Sequence, residues 1–582
     1  ISGASYDGAV LGLGGIVTNA AGATISGLNN GVYFKYRAAG TVTNSGNIFG
    51  TGTNSAGIDL ADGGVVTNNS GGFVSATFGV FITGAAGVVT NNGSIAGGRY
   101  DGVALVKGGS VTNALGASIS AGSIGVYVEK GAVGTVTNSG SITSIGTNGA
   151  GVDLSGGGKV TNNSSGAISG TFGIFTTGVP ATIANSGRIA GTHDGVALEQ
   201  GGGFTNAVGG SVSGAVAGVF SQGGAVSLIN FGTIVGTAAG GAGTDIETGG
   251  SITNNAGASI SGNGFGVFLT GGLSAITNAG RITGNRGIDL ANGGSLMNAL
   301  GGQVSGQSVG VFASGGAVTL TNSGTINATA AGGAGVDIEA GGSITNNAGG
   351  SISGAAFGVF LTGSSSVITN SGSIAGYRAI DLANGGSLTN AVGGAISGTQ
   401  TGVFSTGAAA MLANSGAINA TAGAGADIEH GGNITNNSGA SISGTSFGIF
   451  MTGGVSAVTN AGSISGTRAV DFAGGGSLTN ASGAAISGTV AGVCASGGAA
   501  TLVNSGTISA LVAGGAGADI EGGGNVTNNA GGSISGSTFG VFLSGGGTVT
   551  NAGAISGGSY AVDFTSSGTN RLVVDPGATF TG

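Results

Sequence analysis

This 582-residue chain has two prolines (Pro180 and Pro576), one cysteine and two histidines, and only 6% of it is charged. Each shortage closes a route. Two prolines and no Gly-X-Y period exclude a collagen, despite 138 glycines. Cys494 stands alone, so no internal disulfide forms, and a long solenoid does not need one. Twelve lysines and arginines spread along the chain make no basic patch, which disfavours nucleic acid as a partner. The four lysines (Lys35, Lys107, Lys130 and Lys159) all fall in the first third. No run of 18 apolar residues is present, so nothing spans a bilayer as a helix. Glu, Lys, Leu and Gln are sparse, which argues against helix anywhere. His193 and His430 stand about ten repeat turns apart and do not cooperate.

What remains is apolar and regular. Hydrophobic residues make up 40% of the chain, with Val, Ile and Leu recurring in register, whereas a disordered chain is less apolar and more charged. The net charge of −9 is dilute over this length. One asparagine in a [V/I/L]-x-N context, with Phe204 in place of the aliphatic before Asn206, recurs 24 times between Asn19 and Asn551, at gaps of 20 to 25 residues. Its most regular stretch runs through Asn206, Asn230, Asn254, Asn278, Asn298, Asn322, Asn346, Asn370, Asn390, Asn414, Asn436 and Asn460. Such a period is one turn of a stacked strand solenoid. An asparagine tolerates αL geometry, and its amide both donates and accepts. The series therefore reads as a structural ladder at the bend after the first strand.

Each turn reads as three short strands separated by Gly-rich bends. Near Gly250 these are residues 251–253, 259–261 and 266–269, with Ile252, Ile260, Val267 and Leu269 pointing inward at a period of two. Gaps of 24, 24, 24 and 20 repeat, so four turns form a unit of about 92 residues. The super-repeats fall at 14–107, 108–200, 201–292, 293–384, 385–474 and 475–566, with 567–582 starting a further turn. The expectation is one continuous all-β parallel β-helix of about 24 turns, some 115 Å long at ~4.8 Å per turn.

The third strand carries an alternating series between its two inward aliphatics. Phe220, Phe268, Phe312, Phe360, Phe404, Phe450 and Phe542 alternate with Asp245, Asp289, Asp337, Asp381, Asp427, Asp471, Asp519 and Asp563, and Cys494 replaces one Phe. Interior carboxylates are costly, so the position is expected to face out. The rings then form an exposed row about 9.6 Å apart, a candidate association surface. Beside it, Phe265 with Arg286, Phe357 with Arg378 and Phe447 with Arg468 are candidate cation–π pairs, one turn apart.

Two chemistries match the pattern only in part. Gly240-Gly-Ala-Gly-Thr-Asp245-Ile-Glu247 matches a calcium nonapeptide pattern, but its copies at Asp337/Glu339, Asp427/Glu429 and Asp519/Glu521 lie about 92 residues apart, not in tandem. The same carboxylate pairs suit a glycosidic bond in principle, yet they belong to the repeat, and a catalytic site is a local exception to a repeat. No metal, cofactor or catalytic residue is assigned.

The T-N-[S/A]-G-x-I steps, as in Thr321-Asn-Ser-Gly-Thr-Ile326 and Thr277-Asn-Ala-Gly-Arg-Ile282, resemble the passenger regions of bacterial autotransporters. So does the segment Thr569-Asn-Arg-Leu-Val-Val-Asp-Pro-Gly-Ala-Thr-Phe580. That resemblance implies a right-handed parallel β-helix, exported through the outer membrane of a Gram-negative bacterium to its surface. Residues 1–8 align with residues 95–102, so the chain starts inside a repeat and is expected to be a segment of something longer. The function expected is a structural rod that assembles with itself, laterally or end to end. The alternatives are a monomeric adhesin stalk that meets a host surface or matrix polysaccharide through a tip elsewhere, and, more distantly, a polysaccharide-active enzyme.

Overall fold

The computed structural model describes all residues except 37, 273, 364, 365, 566 and 567. Residues 566 and 567, where the sequence reading ends the last super-repeat, therefore lie outside the described residues. The chain is all-β, a parallel β-solenoid of about 25 turns with about 23 residues in each. It divides into two compact units, Ile1–Asn292 and Gly293–Gly582.

In the first unit, the turn that follows Gly249 shows the local logic. Its strands are Gly250–Asn254, Ser259–Gly262 and Phe265–Leu269. Ile252, Ile260, Val267 and Leu269 are all buried, and the residues that alternate with them, Ser251, Thr253, Ser259, Ser261 and Phe268, face away from the core. Each strand pairs in parallel with its equivalent one turn away, so Ile252 lies between Leu228 and Ile276. The core is thus a set of aliphatic columns, each built from β-branched or leucine side chains that suit a pleated surface. Fully burying one such side chain stabilises by about 1.5–3 kcal/mol. The bend into the turn needs glycine twice. Gly249 and Gly250 have φ of 82° and 144°, and a Cβ on Gly250 would stand 2.2 Å from the Val226 carbonyl oxygen.

The second unit repeats the plan with one variation. Several turns join the second and third strands into a single long one, as in Ser373–Leu382 and Ala395–Ser405. The register between these two shifts between Gly376 and Arg378, which marks a bulge in place of the missing bend. Long strands of this kind also occur in the first unit, at Arg188–Leu198 and Arg281–Leu290. The expected three strands per turn therefore become two in these turns, whether short, as with Ser373–Leu382, or of full length, as with Ala395–Ser405.

Candidate functional site

Two polar columns run along each unit. The first is the asparagine series, which ends the first strand of each turn. These side chains point inward and are almost completely buried. In the first unit each Nδ2 donates to the next turn's Oδ1, as from Asn206 to Asn230 at 2.9 Å and from Asn254 to Asn278 at 2.8 Å. In the second unit the chain of bonds runs from Asn298 through Asn322, Asn346 and Asn370 to Asn390, each at 2.8 Å. It continues through Asn414, Asn436 and Asn460. Each amide also donates to backbone: Asn322 Nδ2 reaches the Gly324 carbonyl at 3.1 Å and that of Ser351 at 3.2 Å. The Gly324 N–H in turn donates to Asn322 Oδ1 at 3.2 Å. This bend accounts for the glycine in T-N-S-G, because a Cβ on Gly324 would stand 2.2 Å from the Gly302 carbonyl oxygen and 2.8 Å from Asn298 Nδ2. At the last turn Val574 takes the ladder position opposite Asn551, whose amide donates instead to the Thr579 carbonyl.

The second column is the acid–aromatic series on the outer side of the third strand. Register places Asp245 beside Phe268 and Phe268 beside Asp289 in the first unit. In the second, Phe360, Asp381, Phe404, Asp427, Phe450, Asp471 and Cys494 follow one another, and Asp519, Phe542 and Asp563 continue the series.

The expected exposure of this column is corrected by the structure. Asp289, Asp381 and Asp471 are only 2%, 3% and 1% exposed, and Phe404 is 9% exposed. Phe220, Phe268, Phe312, Phe360, Phe450 and Phe542 are half-buried. The rings lie against neighbours rather than standing bare. Phe268 stacks on Phe265 with centroids 4.6 Å apart, Phe360 on Phe357 at 4.8 Å, and Phe450 packs on Phe447 at 4.7 Å.

The cation–π assignment changes as well. Arg286, Arg378 and Arg468 sit in register with Phe265, Phe357 and Phe447 as expected. Their guanidinium groups, however, turn to the aspartate three residues on: Arg286 to Asp289 at 2.6 Å, Arg378 to Asp381 at 2.8 Å and Arg468 to Asp471 at 2.9 Å. The ring under Arg378 is Phe404, 3.8 Å from its centroid and one turn further along. Each cation thus closes over a buried carboxylate. That pairing makes burial tolerable where the sequence argument judged it too costly, since a buried ion is retained only when paired.

Asp245, Asp427 and Asp519 have alanine, not arginine, three residues earlier. Burial pushes Asp245 up to about 7, and Glu247 nearby adds to the shift. Burial likewise raises Asp427 and Asp519 to about 6, assisted by Glu429 and Glu521. Asp381 is raised by burial too, against the opposing pull of Arg378. One oxygen of Asp245, Asp381, Asp427, Asp471 and Asp519 is buried without a hydrogen-bond partner. Glu247, Glu339, Glu429 and Glu521 are exposed, so each Asp/Glu pair splits between the covered face and solvent. Among the described residues no group of three or more His, Cys, Asp or Glu is gathered as metal ligands would be. His193 Nδ1 lies 3.0 Å from Asp194 Oδ2.

An open groove of about 450 Å³ in the second unit has neutral walls that include Ser353, Gly354, Tyr377, Thr399 and Thr421. Among the described residues no helix is long and apolar enough to cross a membrane.

Two surface features escaped the sequence reading. One is a set of protruding aliphatics two residues after the ladder asparagine, Leu115 and Val208 in the first unit and Leu300 and Val392 in the second, each at least 75% exposed. Their signal is the T-N-A-[L/V]-G or M-N-A-L-G step that opens a super-repeat. The other is the outer face of the first strand, signalled by threonine immediately before the ladder asparagine in most turns. The fold defines the class: a parallel β-solenoid repeat protein. Comparison of the chain with family models, characterised proteins and solved structures found no match.

Proposed function

We propose that this chain is a structural segment of a surface protein of a Gram-negative bacterium, and that it assembles with copies of itself into fibres or a surface layer. The observation that carries this reading is the repeated protruding aliphatic. Leu300 and Val392 are both 83% exposed and occupy the same bend four turns apart, about 19 Å at the strand spacing. Leu115 and Val208 repeat the arrangement in the first unit, at 75% and 80%. Apolar side chains held out at a fixed interval by a hydrogen-bonded core favour a partner with the same interval, and a second copy has it. The buried asparagine ladder supplies the stiffness such a scaffold needs. The acid–aromatic column contributes to the stability of each turn, with its rings committed to neighbours.

Sedimentation of the purified chain over a concentration series, followed by electron microscopy, tests the proposal. Assemblies that dissociate in a Leu300→Lys/Val392→Lys variant support it. A chain that stays monomeric at every concentration would sink it, and the reading would pass to a monomeric adhesin stalk.

A further inference from the structure

The outer face of the first strand in the first unit is a lattice of small, uncharged side chains. Thr43, Thr67, Thr90, Thr112, Thr137 and Thr161 succeed one another in consecutive turns, each directly opposite the next. Two residues earlier on the same strands, Thr41, Val65, Val88, Ser110 and Thr135 form a parallel column. All five residues of these strands pair one to one, with no bulge or shift of register. The two columns therefore repeat at ~4.8 Å across the strands and roughly 6.7 Å along them. The ladder at the end of each strand locks this register, because Asn44, Asn68, Asn91, Asn113 and Asn138 each bond the next at 2.8–2.9 Å.

The side chains are restricted in their turn. Threonine and valine are stiff at χ1, so methyl and hydroxyl groups are held in repeated orientations. Among the described residues, the hydroxyls of the threonine column hold no hydrogen bond to the protein. They point outward at water, beside methyl groups that water does not bond. Charge selects the partner further. The chain carries a net charge of −9, yet across these turns the outward positions of the first strand hold a single charge, Lys159. A neutral face on an acidic chain matches a neutral partner, and a strict two-dimensional repeat matches a partner that repeats in two dimensions at the same intervals.

We propose that this threonine-bearing face, over residues 41–161, is an ice-binding surface. The oxygen repeats on a prism face of hexagonal ice lie close to both intervals of the array. Hydroxyls at one set of lattice points hold waters in ice-like positions, and the methyl groups between them confine those waters without bonding them. Binding gains from having the array pre-ordered, since neither the strands nor the side chains lose freedom on contact.

The test uses the full chain and a single ice crystal grown in its presence. Faceted growth, a gap between melting and freezing temperatures, and a fluorescently labelled chain adsorbed on prism planes are expected. A Thr67→Lys/Thr112→Lys variant, with folding checked by circular dichroism, is expected to reduce that gap several-fold. If the parent chain neither shapes ice nor adsorbs to any plane, the proposal fails whatever the variant does. Undiminished activity in the folded variant overturns the assignment to this face. Binding to crystalline cellulose or chitin without any effect on ice overturns it in favour of a polysaccharide lattice.

Discussion

The inward asparagine column and the outward aspartate column both bury polar groups in a stack, but they meet the cost differently. An amide carries donor and acceptor on one group, so Asn298, Asn322 and Asn346 satisfy one another turn after turn. A carboxylate only accepts. It does not stack on its own kind, and in this column it alternates with rings. Where an arginine stands three residues earlier the charge is paired, as at Asp381 and Asp471. Where none does, as at Asp427 and Asp519, burial raises the carboxyl to about 6. The lesson is that a solenoid extends any interaction that is self-complementary along its axis and needs a second residue type for one that is not.

Exchanging the two chemistries breaks the comparison most severely. Asn346→Asp removes the donor that serves Asn370, Gly350 and Ser373 while keeping the size. It is expected to cost about 3 kcal/mol or more at neutral pH, read from denaturant unfolding. A loss under about 1 kcal/mol would mean that the ladder is ornamental.

Removing the cation comes next. Arg378→Ala strands Asp381 in a covered site, at an expected cost of about 2 kcal/mol once solvent screening of the partly exposed guanidinium is allowed for. Arg468→Ala should cost less, because Cys494 stands where Phe404 supplies the ring face to Arg378. Equal losses would show that the ring contributes nothing.

Acid sharpens the contrast between charged and neutral columns. In the native chain burial pushes Asp59, Asp101 and Asp245 of the first unit up to about 7, and Asp427 and Asp519 of the second up to about 6. An unfolded aspartate titrates near 3.9. Between those values the native carboxyl keeps a proton that the unfolded one has released, so stability falls as pH rises through the window. Unfolding midpoints should therefore be higher at pH 5 than at pH 8. Asp427→Asn should gain at both pH values, and by about 1 kcal/mol more at pH 8 than at pH 5. A midpoint flat from pH 5 to pH 8 would count against the buried carboxylates.

The smallest effect belongs to the exception in the column. Cys494 is 3% exposed, and burial, with Asp471 beside it, pushes its thiol up to about 12. Cys494→Phe restores a ring under Arg468 and is expected to stabilise by about 0.5–1 kcal/mol, visible as a small upward shift in the unfolding midpoint. A loss of stability would show that the site no longer accommodates a ring.

Much of this was legible in the sequence, because a solenoid writes its architecture as a period. The recurrence of asparagine marked the turns, the alternation around Ile252 and Val267 marked the inward face, and the pairing of Phe357 with Arg378 marked the register. The partners of those side chains were not legible. Arg378 is one turn from Phe357 and one turn from Phe404, and linear spacing does not separate these contacts from the ion pair with Asp381. The outward threonines passed unnoticed because each is ordinary by itself, and only their lateral registration makes a lattice.

The sequence alone determined that the chain is a parallel β-solenoid and which aliphatic residues face its core, since period and alternation are properties of the chain as written. Only the tertiary structure decided which outward positions are covered. Exposure depends on what the neighbouring turn sets over a side chain, and a few ångströms of ring or guanidinium turned a residue read as solvent-facing into a buried acid.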